Sequence, residues 1–162
     1  MVKAKKSKKD VVNTHTLFFK SNTKVSPIGL EIVERSLKEL SFDYIKTNNQ
    51  PDNDYNIYAY VNECGELETK KTKRGDEIKM INLKLIDEYY DHIKCVLWGD
   101  LAVAFQPNNV DKVIILKTVQ SRIFQQEIYI QSNKDTIIYY DPNTLRAKAL
   151  SEKINIHFHG KN

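Results

Sequence analysis

Residues 85–105, LIDEYYDHIKCVLWGDLAVAF, contain a strand, a turn, a second strand and the start of a helix, and they carry the only tryptophan of the chain, Trp98. Ile93, Cys95 and Leu97 alternate with His92, Lys94, Val96 and Trp98. Because side chains along a strand point to opposite faces with a period of two, the alternation puts the tryptophan on the wetter face, beside a lysine and a histidine. From alternation alone two readings are equal. Trp98 either plugs the open end of a β core or stands on a polar surface to receive something flat and apolar.

Outward from this stretch the chain reads as strands joined by hairpins. Upstream, YNIYAYVNEC (55–64) is aromatic-rich and alternating, and IKMINLKLID (78–87) sets Ile81, Leu83 and Leu85 on one face. Between them GELETKKTKRGDE (65–77) forms a long hydrophilic hairpin with Gly75 near its tip. Downstream, DLAVAFQ (100–106) gives a short helix. KVIILKTVQSRI (112–123) is a long strand, FQQ a turn, and EIYIQSNKDTIIYYD (127–141) a last strand with a bend, stopped by Pro142. NTLRAKALSEKI (143–154) reads as a C-terminal helix, followed by a frayed end. Five short strands with hairpin connections and a helix between the third and fourth predict an all-β fold, a five-stranded Greek-key OB-fold barrel with a C-terminal helix.

The organisation follows. Residues 1–10, MVKAKKSKKD, are expected to be a basic, disordered tail. Residues 11–40 are expected to be an arm with a short strand around Leu17–Phe19 and, in SPIGLEIVERSLKEL (26–40), a loose helix or extended linker. Residues 41–150 form the barrel and 151–162 the frayed C-terminus.

Composition limits the function classes. The 162 residues carry a net charge of +4, but the tail supplies five lysines and one aspartate. Without it the body has 20 basic and 20 acidic residues, so attraction for a polyanion must come from local clustering. No apolar run is long enough to span a bilayer, and no hydrophobic segment follows the N-terminal lysines, so neither a membrane association nor a secretory signal is expected. Cys64 and Cys95 read as free thiols of a reducing compartment. His15, His92, His157 and His159 lack partners at metal-ligand spacing, and no phosphate-cradling loop or nucleophile–histidine–acid arrangement occurs. No enzyme, cofactor or metal is expected.

The series of motifs resembles a family. Asp87 in a turn, the apolar strand closing on Leu97-Trp98-Gly99-Asp100, and the short helix after it are similar to the second tandem single-strand-binding OB domain of the replication protein A large subunit. VIILKTVQSRIF (113–124) matches a strand carrying Lys117 and ending in Phe124 at a hairpin tip. DTIIYYDP (135–142) matches the family's final strand, and SFDYIKTN (41–48) its lead-in element. TLFFKSNTKV (16–25) looks like the tail of a preceding OB domain. The resemblance extends over about 38–145, with weaker support back to about 15.

This resemblance implies single-stranded DNA binding by a piece of a tandem-OB protein, with other OB domains or subunits as partners and the nucleus as its location. It covers general replication and repair proteins and telomere- or meiosis-specialised paralogues. Trp98 and Phe124 become the base-stacking pair; a base has apolar faces on a charged backbone, so its receptor needs an aromatic plane on a cationic surface. Arg122 shares the face of Phe124. Lys71, Lys73 and Arg74 on the long hairpin, with Lys94 and Lys117, become phosphate contacts, and Lys112 a further candidate. The rival readings are a Phe124 folded back on the barrel, a merely solvated hairpin tip, an OB-fold that serves as a protein-interaction scaffold, and an RNA binder, since a stacking groove does not by itself exclude a 2′-hydroxyl. The sequence departs from the family pattern at Gln120, which replaces an arginine, and at Glu127, which replaces a basic residue. Ile128 and Ile130 replace small polar residues of the last strand. These changes are expected to remove charge from the groove and add bulk to it.

Overall fold

A computed structural model describes residues 41–48 and 53–160. The basic tail and the arm expected over 11–40 lie outside the described residues. The elements are α1 (Phe42–Thr47), β1 (Asp54–Cys64), β2 (Glu68–Lys71), β3 (Glu77–Ile86), β4 (His92–Trp98), α2 (Asp100–Ala104), β5 (Val113–Phe124), β6 (Glu127–Tyr140) and α3 (Leu145–His159).

The strands form one sheet in the order β1-β5-β6-β4-β3-β2, and β1 also pairs with β3, which closes the sheet into a barrel. All neighbours are antiparallel except β4 and β6. A closed 1-2-3-5-4-1 circuit whose third and fifth barrel strands run parallel, with a helix between the third and fourth, is the OB-fold. The expected five strands become six because β2 forms inside the long hairpin. Its residues Glu-Thr-Lys-Lys are all exposed, so no apolar alternation announces it.

Inward residues alternate as expected. Ile57, Ala59 and Val61 of β1 meet Ile81, Leu83 and Leu85 of β3, Ile93, Cys95 and Leu97 of β4, and Ile114, Leu116 and Val119 of β5 in one core. Two short helices close its ends. Leu101 and Ala102 of α2, with Phe105 after it, pack at the end where β4 finishes, while Phe42 and Ile45 of α1 seal the end where β4 begins. Segment 41–47, expected to be a lead-in, is helical because Ser41 caps it, its Oγ accepting from Tyr44 N at 3.0 Å.

Asp87 is the pin of that end. Its carboxylate is buried and accepts three backbone N–H groups, from Phe42 (2.8 Å), Tyr89 (2.9 Å) and Asp91 (3.0 Å). It therefore fixes the β3–β4 turn and the start of α1 together. At the other end Gly99 turns the chain from β4 into α2 at φ 65°, ψ −132°, a conformation essentially confined to glycine. That is why the motif after Trp98 needs this residue.

Helix α3 lies outside the barrel. Ala147, Leu150 and Ile154 pack on Tyr60, Ile86 and Val113, which point outward from β1, β3 and β5. Burial first, then the Asp111 carboxylate that accepts from it at 2.9 Å, pushes the Tyr60 hydroxyl well above its ordinary pKa. The helix does not fray at residue 154 as its apolar period suggests. It continues to His159 and ends on Gly160 in the left-handed conformation. The last turn is held instead by His157, which stacks on Tyr90 at 3.7 Å between ring centroids.

Both cysteines are free thiols. Cys95 has no exposed surface, and burial pushes its thiol up to about 12; Cys64 is half-buried and shifted in the same direction. The thiolate is the reactive form, so a raised pKa slows alkylation. Iodoacetamide near pH 8 should label Cys64 slowly and leave Cys95 untouched until urea unfolds the barrel. Mass spectrometry showing equal native labelling would contradict the burial of Cys95.

Candidate nucleic-acid interface

The outer face of β3 and β4 presents what the core face does not. Register places Met80 opposite Trp98, Asn82 opposite Val96, and Lys84 opposite Lys94. The parallel neighbour β6 adds Tyr129 beside Lys94 and Gln131 beside Val96, and β5 extends the rows with Arg122 beside Tyr129 and Gln120 beside Gln131. The result is a four-strand surface of aromatic, amide and cationic groups.

Trp98 stands on this face, half-buried. It is not a barrel plug. Its Nε1 donates to Gln131 Oε1 at 3.1 Å, and its backbone N donates to Ser132 Oγ at 2.9 Å, so the ring edge is tied and its plane held. Phe124 is 63% exposed at the tip of the β5–β6 hairpin and does not fold back onto the barrel. Gln125 (φ 52°) and Gln126 (φ 66°) form the two-residue turn, both left-handed, as the right-handed twist of tight hairpins demands. Phe124 pairs with Glu127, and the β4–β6 register makes Glu127 level with His92. Trp98 is six residues further along, so the two rings mark a face about 20 Å long in the strand direction.

Alongside them, toward β1 and β3, lies a hollow of about 380 Å³ whose lining includes Glu63, Asn82, Lys84, His92, Lys94 and Glu127. Lys84 and Lys94 are directly opposed like charges, which destabilise a sheet unless an anion relieves them. Only partial relief is built in. Lys84 Nζ is 3.4 Å from Glu63 Oε1, both side chains half or more exposed, and Lys94 Nζ stands 5.9 Å from the centroid of the Tyr129 ring. Arg122 is laid along β5, donating to Ser121 O (2.8 Å) and Gln120 Oε1 (3.1 Å).

The other basic residues divide. Lys117 is half-buried and faces outward, but a bulge at Thr118 (φ 67°) separates it from Gln120, and it flanks the Trp98 end of the face. Lys71, Lys73 and Arg74 project from the hairpin beyond the row Glu68–Met80–Trp98. Arg74 is paired with Asp76 at 3.5 Å and Lys70 with Glu68 at 3.5 Å, whereas Lys71 and Lys73 make no ion pair among the described residues. Residues 65–77 carry four acidic and four basic side chains, so the hairpin as a whole is neutral. Lys112 is not on this face. Its Nζ is 3.9 Å from Asp141 Oδ2, beside α3.

Two expected departures are corrected by position. Ile130 is fully buried in the core and adds no bulk to the groove; Ile128 is half-buried across from Ile123 near the hairpin tip. Gln120 and Glu127 do stand where charge was expected to be lost, on the outer face and at the hollow. Sequence reasoning overlooked Tyr129 and Gln131, although EIYIQ (127–131) carries the period-two signal that places them outward. Among the described residues, no cluster of three His, Cys, Asp or Glu side chains could hold a metal ion, and no helix is long and apolar enough to cross a membrane.

The model of the replication protein A OB domain matches residues 45–137, more than half of the chain. The chain belongs to this family. Among solved structures, a replication protein A heterotrimer bound to single-stranded DNA superposes with a TM-score of 0.66 at 14% identity, over 78% of this chain and 30% of that one. The replication protein A-type domain thus spans about three tenths of that chain's length. A complex of Pot1 (protection of telomere) with single-stranded DNA gives a TM-score of 0.53 at 13% identity, over 82% of this chain and 100% of that one. At such identities the likeness is one of fold. No curated protein matches the sequence.

Proposed function

We propose that this chain is a single-stranded DNA-binding OB domain of a replication protein A-like tandem-OB protein, holding the strand by stacking and phosphate contacts without chemistry. One observation carries the reading: a tied tryptophan shares its sheet face with two opposed, incompletely compensated lysines, and an exposed phenylalanine marks the far end. Stacking tolerates any base, and the lysines position the backbone without reading sequence. The family and the two complexes with single-stranded DNA support the same reading. Tandem copies would raise avidity through effective concentration. Their work would lie in the nucleus, in replication and repair or at telomeres. A scaffold would meet its partner through apolar residues of the last strand, but Ile130 is fully buried and offers a partner no surface.

Titrating the intrinsic fluorescence of Trp98 with oligo(dT) tests the proposal. Saturable quenching is expected, weakening with salt. If Lys71, Lys73, Lys84 and Lys94 each meet a phosphate, the slope of log K against log salt is about −3. A stronger response to a G-rich telomere-like strand than to oligo(dT) would favour the telomeric role over general binding. An unchanged signal with either strand, in folded protein, would leave the scaffold as the better reading.

A further inference from the structure

The face just described does not end at Phe124. His92 lines the hollow beside Lys94 and is also the first residue of an aromatic cluster on the C-terminal helix. Its ring centroid is 5.6 Å from Phe158; Phe158 is 4.6 Å from His157, and His157 stacks on Tyr90 at 3.7 Å with the planes 12° apart. Phe158 is 40% exposed and His157 is exposed. The last residue of α3 that reaches the core is Ile154, so the final turn adds rings to the surface rather than to the interior. Tyr90, which supports the stack from below, holds a left-handed backbone at φ 69°, a costly conformation for an aromatic residue.

Charge follows the same line. Lys153 Nζ lies 5.2 Å from the Tyr90 ring centroid and donates to Glu88 O at 2.7 Å, and Lys46 Nζ donates to His92 O. Those acceptors are carbonyls rather than carboxylates, and among the described residues neither ammonium group has an ion-pair partner. Acidic side chains stand in the same elements: Asp43 in α1, Glu88 and Asp91 in the β3–β4 turn, Glu152 in α3, and Glu127 beside His92 at the hollow.

We propose that the bound strand continues past Lys94 onto a second stacking station made by His92, His157 and Phe158, with Lys46 and Lys153 meeting its phosphates. This extends the groove reading and rests on it. The rings are aromatic planes on a cationic surface, continuous with the first station through His92. The occupant is therefore a further base of the same single strand.

Fluorescence anisotropy with oligo(dT) of about 4 and about 12 nucleotides tests it, the range of site sizes seen per OB-fold. Phe158→Ala should leave the short strand's affinity unchanged and weaken the long strand at least about fivefold, the loss of one stacked base. Phe158→Trp, which keeps a packing ring on Tyr90, should restore it. A long strand carrying 5-iodo-deoxyuridine at each position in turn should crosslink to His157 or Phe158 from one end only. If Phe158→Ala acts equally on both lengths or on neither, and crosslinks reach only Trp98 and Phe124, the second station is overturned and the groove stands. If the folded wild-type protein binds neither length, both fall together.

Discussion

Replacing Trp98 and Phe124 together by alanine should abolish most of the single-strand affinity while leaving the fold intact. Each stacked base is worth about 1–3 kcal/mol, so the pair accounts for about 2–6 kcal/mol, a weakening of between about thirtyfold and about twenty-thousandfold. Phe124 is the cleaner half of the experiment. It is exposed at a hairpin tip and supports no core contact, so its loss should barely move stability. Trp98 stands opposite Met80 in the register and ties Gln131, so part of its effect will be structural. Trp98→Phe keeps a stacking plane without the Nε1–H donor and separates the two contributions. Isothermal titration of wild type, the double variant, Phe124→Ala and Trp98→Phe against oligo(dT) reads the result. Wild-type affinity in a folded double variant would mean that bases do not stack here.

The second large effect is on stability, at Asp87. Alanine there removes the acceptor of three backbone N–H groups at once, one of them at the first residue of α1, where a carboxylate also meets the favourable end of the helix dipole. An orphaned buried donor costs about 1–3 kcal/mol, so Asp87→Ala should lose about 3 kcal/mol or more, lowering the melting temperature by about 10 °C. Asp87→Asn keeps an acceptor for the turn and should lose less. Urea unfolding monitored by circular dichroism distinguishes the two. A loss below about 1 kcal/mol for the alanine variant would mean that the turn and α1 hold themselves without the carboxylate.

The barrel was legible in the sequence because its inward residues keep strict alternation through β3, β4 and most of β5, and because Gly99 and the hairpin turns punctuate them. The outward orientation of Trp98 followed from the same period. What failed did so for identifiable physical reasons. Matching Ile130 to a groove position is a one-residue slip, and a slip of one sends every side chain of a strand to the other face. Lys112 precedes β5, where parity gives no guidance, and its neighbour Asp141 is close only after the barrel closes. The final turn of α3 has no apolar periodicity because its contacts are stacked rings from the β3–β4 turn, far away in sequence. The exposed strand β2 has no hydrophobic signature at all.

That strand has a consequence for how the protein keeps to itself. A closed barrel hides its strand edges, but β2 is bonded only to β3 among the described residues, leaving one ladder of backbone donors and acceptors open to solvent. An open edge is a template on which a second chain adds a strand and aggregation begins. Here it reads Glu-Thr-Lys-Lys, with every side chain exposed, and lysines on an edge repel an incoming copy. The lysines of this edge thus act as gatekeepers against self-association, whatever Lys71 contributes to binding. Variants that neutralise Lys70 and Lys71 therefore need their oligomeric state checked before any loss of binding is assigned to missing phosphate contacts.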